Sequence, residues 1–181
     1  MRAVMLSVPE SLLEDRRRAG IDRWDEVWEG VLHMVPPPSG NHQRLNARLL
    51  LVFAPLAEAR GLVPHVGAGV FRSGDDYRVP DQCYAEPAQV TDRGVDGGPP
   101  LVVELLSPGD ETYDKLVWYA AAGVEEVLVV DPKTRQAEVF ARQGSVMAPR
   151  PSLVLETVGF ELGVVPGPRL RITWAGGGAE A

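Results

Sequence analysis

His42, Leu45, Leu49, Val52, Phe53 and Leu56 recur at the spacing of one helix face and predict a helix over residues 41–60. Gly61 suits its C-terminal stop, and Pro55 a kink in its last turns. Nearer the N-terminus, Ser7-Val8-Pro9-Glu10 has the form of a capping box and predicts a short helix over 9–19, ended by Gly20. Between these helices Glu29-Gly30 interrupts two β-prone runs, which predicts a hairpin over 24–35, punctuated by Pro36-Pro37-Pro38-Ser39-Gly40. Strands follow over 63–72 and 77–84, joined by a turn at Ser73-Gly74-Asp75-Asp76, and then a loop over 86–100. Residues 101–106 are apolar on both faces, as in a buried central strand. A helix over 110–122, closed by Gly123, carries Tyr113, Leu116, Val117 and Ala120 as its expected buried stripe, with Lys115 on the far side. A second buried strand covers 126–130, and the turn Asp131-Pro132-Lys133-Thr134 leads to a returning strand over 136–142. Segments 153–158, 162–165 and 170–174 read as short edge strands, and 176–181 as a flexible tail. The pattern is that of one α/β (α+β) domain over 1–175 with a mixed sheet, in which residues 101–131 form a strand–helix–strand unit with a right-handed parallel crossover.

Composition narrows the function classes. The 181 residues are 45% hydrophobic and 24% charged, which suits a globular domain and argues against intrinsic disorder. No run approaches the ~18 apolar residues of a membrane span. Nor does the N-terminus have the form of a secretory signal. A single cysteine, Cys83, excludes an intrachain disulfide framework and makes a reducing, cytoplasmic setting the default. The net charge of −7 argues against a broad nucleic-acid-coating surface, while leaving room for a local basic groove. Of the 18 basic residues only Lys115 and Lys133 are lysines. A lysine kept in an arginine-using chain draws attention, because its ammonium is a compact charge with a movable pKa.

Two carboxylates break the apolar pattern. Glu104 shares its strand face with Val102 and Leu106, and Asp81 shares its face with Val79 and Cys83. A lone buried carboxylate costs several kcal/mol unless it is paired, hydrogen-bonded, protonated or bound to metal. Each acid therefore either meets an internal arginine, reaches water at a strand end, or joins the other around a divalent cation, for which oxygen ligands suit Mg²⁺ or Mn²⁺. Lys115 follows the carboxyl end of the Glu104 strand, where α/β sites usually form. His42 continues the apolar stripe of its helix and points inward, and Glu29 stands at the hairpin turn. Carbohydrate hydrolysis by paired carboxylates is disfavoured by an aromatic content of 7%.

In order along the chain stand Trp28-Glu29-Gly30, Met34-Val35-Pro36-Pro37-Pro38-Ser39, His42-Gln43, Val79-Pro80-Asp81, and Leu101-Val102-Val103-Glu104-Leu105-Leu106-Ser107-Pro108. Tyr113-Asp114-Lys115-Leu116, Ala121-Ala122-Gly123-Val124 and Val129-Val130-Asp131-Pro132 follow. Over residues 22–145 this series resembles the Uma-two family of putative restriction endonucleases, within the PD-(D/E)XK nuclease superfamily. The resemblance implies a restriction-endonuclease-like mixed β-sheet core flanked by helices, and Mg²⁺- or Mn²⁺-dependent hydrolysis of DNA phosphodiesters. It implies Asp81, Glu104 and Lys115 as the catalytic set, with Asp81 and Glu104 as metal ligands assisted by the Leu105 carbonyl. Glu29, His42 and Gln43 would line the cleft. Leu106 stands where the superfamily's lysine usually follows the second acid, and Lys115 on the next helix would replace it. Gln82-Cys83-Tyr84 departs from the usual aliphatic run, and the segment 107–115 is shorter than in many members. The alternative is a catalytically inactive nuclease-fold protein acting as a binding or oligomerisation module, for which the acidic charge and the missing motif lysine speak. On either reading a homodimer is the default expectation, because closed symmetric pairs are the commonest assemblies.

Overall fold

The structure is a computed structural model that describes residues 3–5, 9–109 and 111–181. Ser7, of the expected capping box, and Asp110, the expected start of the third helix, lie outside the described residues.

In chain order the elements are β1 (Ala3–Met5), α1 (Glu10–Ala19), β2 (Glu26–Trp28), β3 (Val31–Met34), α2 (Gly40–Glu58), β4 (Val63–Val66), β5 (Val70–Ser73), β6 (Asp76–Arg78) and β7 (Gln82–Ala85). A 3₁₀ turn at Pro87–Gln89 precedes β8 (Val90–Thr91), β9 (Gly94–Asp96), β10 (Leu101–Leu105), α3 (Lys115–Ala122), β11 (Glu126–Val130), β12 (Ala137–Gln143) and β13 (Val146–Pro149). The chain ends with β14 (Val154–Leu155), β15 (Phe160–Val165), β16 (Arg169–Trp174) and β17 (Gly177–Glu180). The fold is mixed α/β, with the strands in three sheets.

The central sheet runs β13-β12-β11-β10-β7-β4. Within it β10 is parallel to β11, as a strand–helix–strand crossover requires, and antiparallel to β7. One face is covered by Leu45, Leu49 and Phe53 of α2 together with Phe160, Leu162, Leu170 and Ile172 of the last sheet. The other face packs against Trp118, Tyr119 and Ala120 of α3 and against Val70 and Val95 of the seven-stranded first sheet. Burial on both faces is why β10 and β11 read as continuous apolar runs.

Several expected boundaries move, each for a physical reason. The runs expected as single strands over 63–72 and 77–84 are each cut in two, so that β4 and β7 join the central sheet while β5 and β6 join the first. Gly67, at φ 59, turns one run, and Pro80, which has no N–H for a ladder, breaks the other. Asp81 therefore sits at a bend before β7 rather than within a strand beside Val79 and Cys83. The expected loop over 86–100 contains β8 and β9, and β9 pairs in parallel with β5. The expected edge strands after residue 150 form a separate antiparallel sheet. Its last strand uses the residues expected as a flexible tail: Ala181 and Leu170 exchange both backbone hydrogen bonds at 2.9 Å.

Helix α3 begins at Lys115, because residues 112–114 are still a turn. That turn resets the helical phase. The buried face is Lys115, Trp118, Tyr119 and Ala120, while Tyr113 and Val117, expected inside, are 48% and 72% exposed.

Candidate active site

The register of the central sheet brings the two acids together. Val102 pairs with Cys83 and Val103 with Gln82, so one further step sets Glu104 opposite Asp81. The bend before β7 turns the Asp81 side chain across the strand end, where its Oδ2 accepts the Leu105 N–H at 2.7 Å. Glu104 has the parity of Val102 and so faces α3. It is only 4% exposed, with Oε1 accepting from Lys115 Nζ at 3.0 Å and from the Tyr119 hydroxyl at 2.5 Å.

Lys115 has a second partner from a distant part of the chain. Glu26, on β2 and 1% exposed, places Oε1 2.7 Å from Lys115 Nζ. The same carboxylate accepts the Val79 N–H at 3.0 Å and the Trp28 indole N–H at 2.8 Å. Burial pushes the Glu26 carboxyl up, but the Lys115 charge and these hydrogen bonds outweigh it, and its pKa lies below the usual glutamate range. Glu104 goes the other way. Burial, opposed by Lys115 but reinforced by the charges of Asp81 and Glu26, pushes it up to about 7. Lys115 is desolvated, yet two carboxylates more than compensate and hold its ammonium above the ordinary lysine value.

His42 closes the site from α2. Ser39 caps that helix by accepting the His42 N–H at 3.3 Å, which fixes the histidine in the first turn. Its Nε2 lies 3.0 Å from the Leu105 carbonyl and 3.2 Å from Asp81 Oδ2. A carbonyl only accepts, so Nε2 carries the proton. Burial disfavours the imidazolium, but Asp81 and the Leu105 carbonyl outweigh it and raise the pKa of His42.

These groups line a cleft of about 990 Å³, walled by Trp24, the prolines at 36–38, Ser107, Pro108 and Lys133. Of the residues expected at the site, Asp81, Glu104, Lys115 and His42 are brought together there. Glu29 and Gln43 are not. Glu29 is exposed at the hairpin turn, where it and Gly30 have φ of 50 and 85, and its backbone N–H is bonded to Asp76. Gln43 is exposed on α2, one position round the helix from His42. The residue missed is Glu26. Its signal was parity: on the short strand it shares a face with Trp28, so an acid stands where the aromatic neighbour turns inward.

The donor set suits a hard divalent cation. Among the described residues, Asp81 Oδ1 and Glu104 Oε2 each lack a protein donor, and both residues line the cleft. Among the described residues no group of three His, Cys, Asp or Glu side chains is arranged to hold a metal. Two carboxylates plus a carbonyl accord with Mg²⁺, which keeps several of its waters and commonly takes one or two carboxylates beside a substrate phosphate.

The model of the family Uma2, described as "Putative restriction endonuclease", matches residues 16–165. Among solved structures, the chain is similar to a crystal structure described as a putative nuclease belonging to DUF820 from Anabaena variabilis ATCC 29413. The TM-score is 0.57 at 19% identity, over 79% of this chain and 82% of that one, a likeness of fold. No curated protein matches. Among the described residues, no helix is long and apolar enough to cross a membrane.

Proposed function

The chain belongs to the Uma2 family of putative restriction endonucleases, and from that premise we propose that it hydrolyses DNA phosphodiesters with a divalent cation, Mg²⁺ or Mn²⁺. The observation that carries the reading is the convergence of Asp81 and Glu104 on one cleft, with Lys115 Nζ 3.0 Å from Glu104.

Asp81 Oδ1, Glu104 Oε2 and the second lone pair of the Leu105 carbonyl would hold the cation. When bound, it supplies Lewis-acid activation of a water and offsets charge building on the phosphate. The chain's own groups do the positioning. The Leu105 N–H fixes Asp81 from one side and His42 Nε2–H fixes the Leu105 carbonyl from the other. Lys115 acts as a fixed positive charge, not as a proton acceptor, because two carboxylates hold its proton on. From there it orients the attacking water or a phosphate oxygen, and Glu26 keeps it in place. The water oxygen forms a bond to phosphorus, the bond to one ester oxygen breaks, and the proton released by the water ends on solvent or the departing alcohol.

The test is cleavage of supercoiled and linear DNA in Mg²⁺ or Mn²⁺ by wild type and by Asp81→Ala, alongside calorimetric titration with Mn²⁺. Cleavage by wild type that is abolished in Asp81→Ala and by chelator supports the reading. Equal cleavage by both removes the site assignment. Failure of wild type both to bind Mn²⁺ and to cleave leaves the inactive binding module in its place.

A further inference from the structure

A line of cations leads away from the cleft. Asn41 lines the cleft, and Arg44 and Arg48 follow it at i+3 and i+7, along one stripe of α2. Both arginines are exposed, and among the described residues neither side chain has an ion-pair or hydrogen-bond partner. The turn between β11 and β12 supplies two more cations: Lys133, which lines the cleft and is exposed, and Arg135, which is half-buried.

Arg135 is held at some cost. Its φ of 65 lies in the left-handed region, which costs a residue with a Cβ about 1–2 kcal/mol. Its Nη1 donates to the Pro132 carbonyl, while its Nε is buried with no partner among the described residues. Burial, then the charges of Arg48 and Arg44, lower its pKa, with Asp131 opposing. The α2 stripe and the turn thus stand within each other's field. Asp131 is already committed to the turn, where its Oδ1 accepts the N–H groups of Lys133 at 2.7 Å and Thr134 at 3.2 Å. Four cations gathered around one carboxylate that already serves the turn run against a net charge of −7, and such a cluster favours an anion beside it.

We propose that Arg44, Arg48, Lys133 and Arg135 form a phosphate track that grips the DNA backbone beside the phosphodiester in the cleft. The partner class rests on the phosphodiesterase reading. The axial rise from Arg44 to Arg48 is about 6 Å, so the two guanidinium groups can meet different phosphates of one strand, which succeed one another about every 3.4 Å of duplex axis. Asn41, one turn before Arg44, and Lys133, two residues before Arg135, both line the cleft, so a strand lying on the track can continue into it.

The test is fluorescence anisotropy with a labelled duplex of about 20 base pairs, over a salt series and without divalent cation, so that binding is read apart from cleavage. The proteins are wild type, Arg44→Glu/Arg48→Glu, Arg135→Gly, and Arg17→Glu/Arg18→Glu on exposed positions of α1 as a control with the same change in charge. The track predicts roughly tenfold weaker binding by Arg44→Glu/Arg48→Glu, and a salt slope flatter by about 1.8, for two lost phosphate contacts. It predicts weaker binding by Arg135→Gly with thermal stability unchanged or raised, since glycine accepts the left-handed backbone. The control should bind as wild type does. Wild type that binds no DNA, or an Arg44→Glu/Arg48→Glu protein that matches the control in affinity and salt slope, overturns the track. Wild type that binds with the expected slope but never cleaves in Mn²⁺ sinks the hydrolase reading and leaves the track standing.

Discussion

Lys115 Nζ lies 2.7 Å from Glu26 Oε1, across a boundary between the first sheet and helix α3. The contact ties a cation of the strand–helix–strand unit to an acid of the N-terminal hairpin, and Lys115 is only 9% exposed. Glu104 draws on the same ammonium at 3.0 Å. One buried positive charge thus stands between two buried carboxylates.

Removing that cation is expected to be severe. Lys115→Met leaves Glu26 and Glu104 facing each other without compensation, and breaking a buried ion pair from one side costs about 3–5 kcal/mol. Urea unfolding should show a loss of that size. Adding Glu26→Gln and Glu104→Gln to the same protein removes the stranded charges and should recover most of it. A triple variant no more stable than Lys115→Met would show that the lysine stem, not its charge, holds the elements together.

The acids of the cleft should be separable by metal titration. Asp81→Asn and Glu104→Gln each remove one proposed anionic ligand, and each should weaken Mn²⁺ binding by roughly tenfold or more in calorimetry. Wild type at about 100 times its dissociation constant should gain about 2.7 kcal/mol of stability, seen as a rise in melting temperature. Neither variant should show that rise at the same Mn²⁺ concentration. Tight binding retained by both would move the metal away from this pair.

What the amino-acid pattern made legible is the part of the site built by local rules. Glu104 breaks a run that is apolar on both faces, and the pairing of β10 with β11 follows from the crossover. His42 shows because a polar residue continues an apolar helical stripe. The same pattern puts Lys115 on the far side of its helix, since it phases the stripe on Tyr113, which belongs to the preceding turn. Glu29 enters only through the family resemblance and Glu26 not at all, because a two-residue turn marks the hairpin tip clearly but does not say which strand acid meets α3. That meeting depends on the packing of the first sheet against the helix, where Trp118 donates to Asp76 at 2.8 Å and Arg78 lies 4.2 Å and 4.6 Å over the rings of Trp28 and Trp118. No local periodicity encodes contacts between residues so far apart in the chain.

The same packing predicts an acid-sensitive joint. Burial raises the Asp76 carboxyl, but the Trp118 indole, the Glu29 N–H and Arg78 outweigh it, and its pKa falls below the usual 3.8. A depressed folded-state pKa contributes stability that is fully present above the unfolded-state value and is lost as pH falls through the folded-state value. Asp76→Asn should therefore be less stable than wild type at neutral pH, with the difference constant down to about pH 5 and shrinking below about pH 4. Chemical denaturation across that range checks it. A gap that stays constant to the lowest pH would assign the loss to altered hydrogen bonding, not to the charge.

Gly98 fixes where α3 ends, and through α3 where Lys115 begins. Its N–H donates to the Ala122 carbonyl at 2.8 Å, and a Cβ added there would stand 2.2 Å from Val124 N and 2.3 Å from the Gly123 carbonyl carbon. Those atoms are backbone, so no side chain can swing away to make room. Gly98→Ala must displace the C-terminal turn of α3, and overpacking of this kind costs about 1–3 kcal/mol. A helix of eight residues moves as a unit, so the displacement reaches Lys115 at its other end. The expected result is a lower melting temperature together with loss of the proposed phosphodiesterase turnover, while the DNA binding proposed for the Arg44–Arg48 stripe, carried by α2, is unchanged. Turnover equal to that of wild type in a destabilised Gly98→Ala protein would show that the position of Lys115 is set by Glu26 and Glu104 alone.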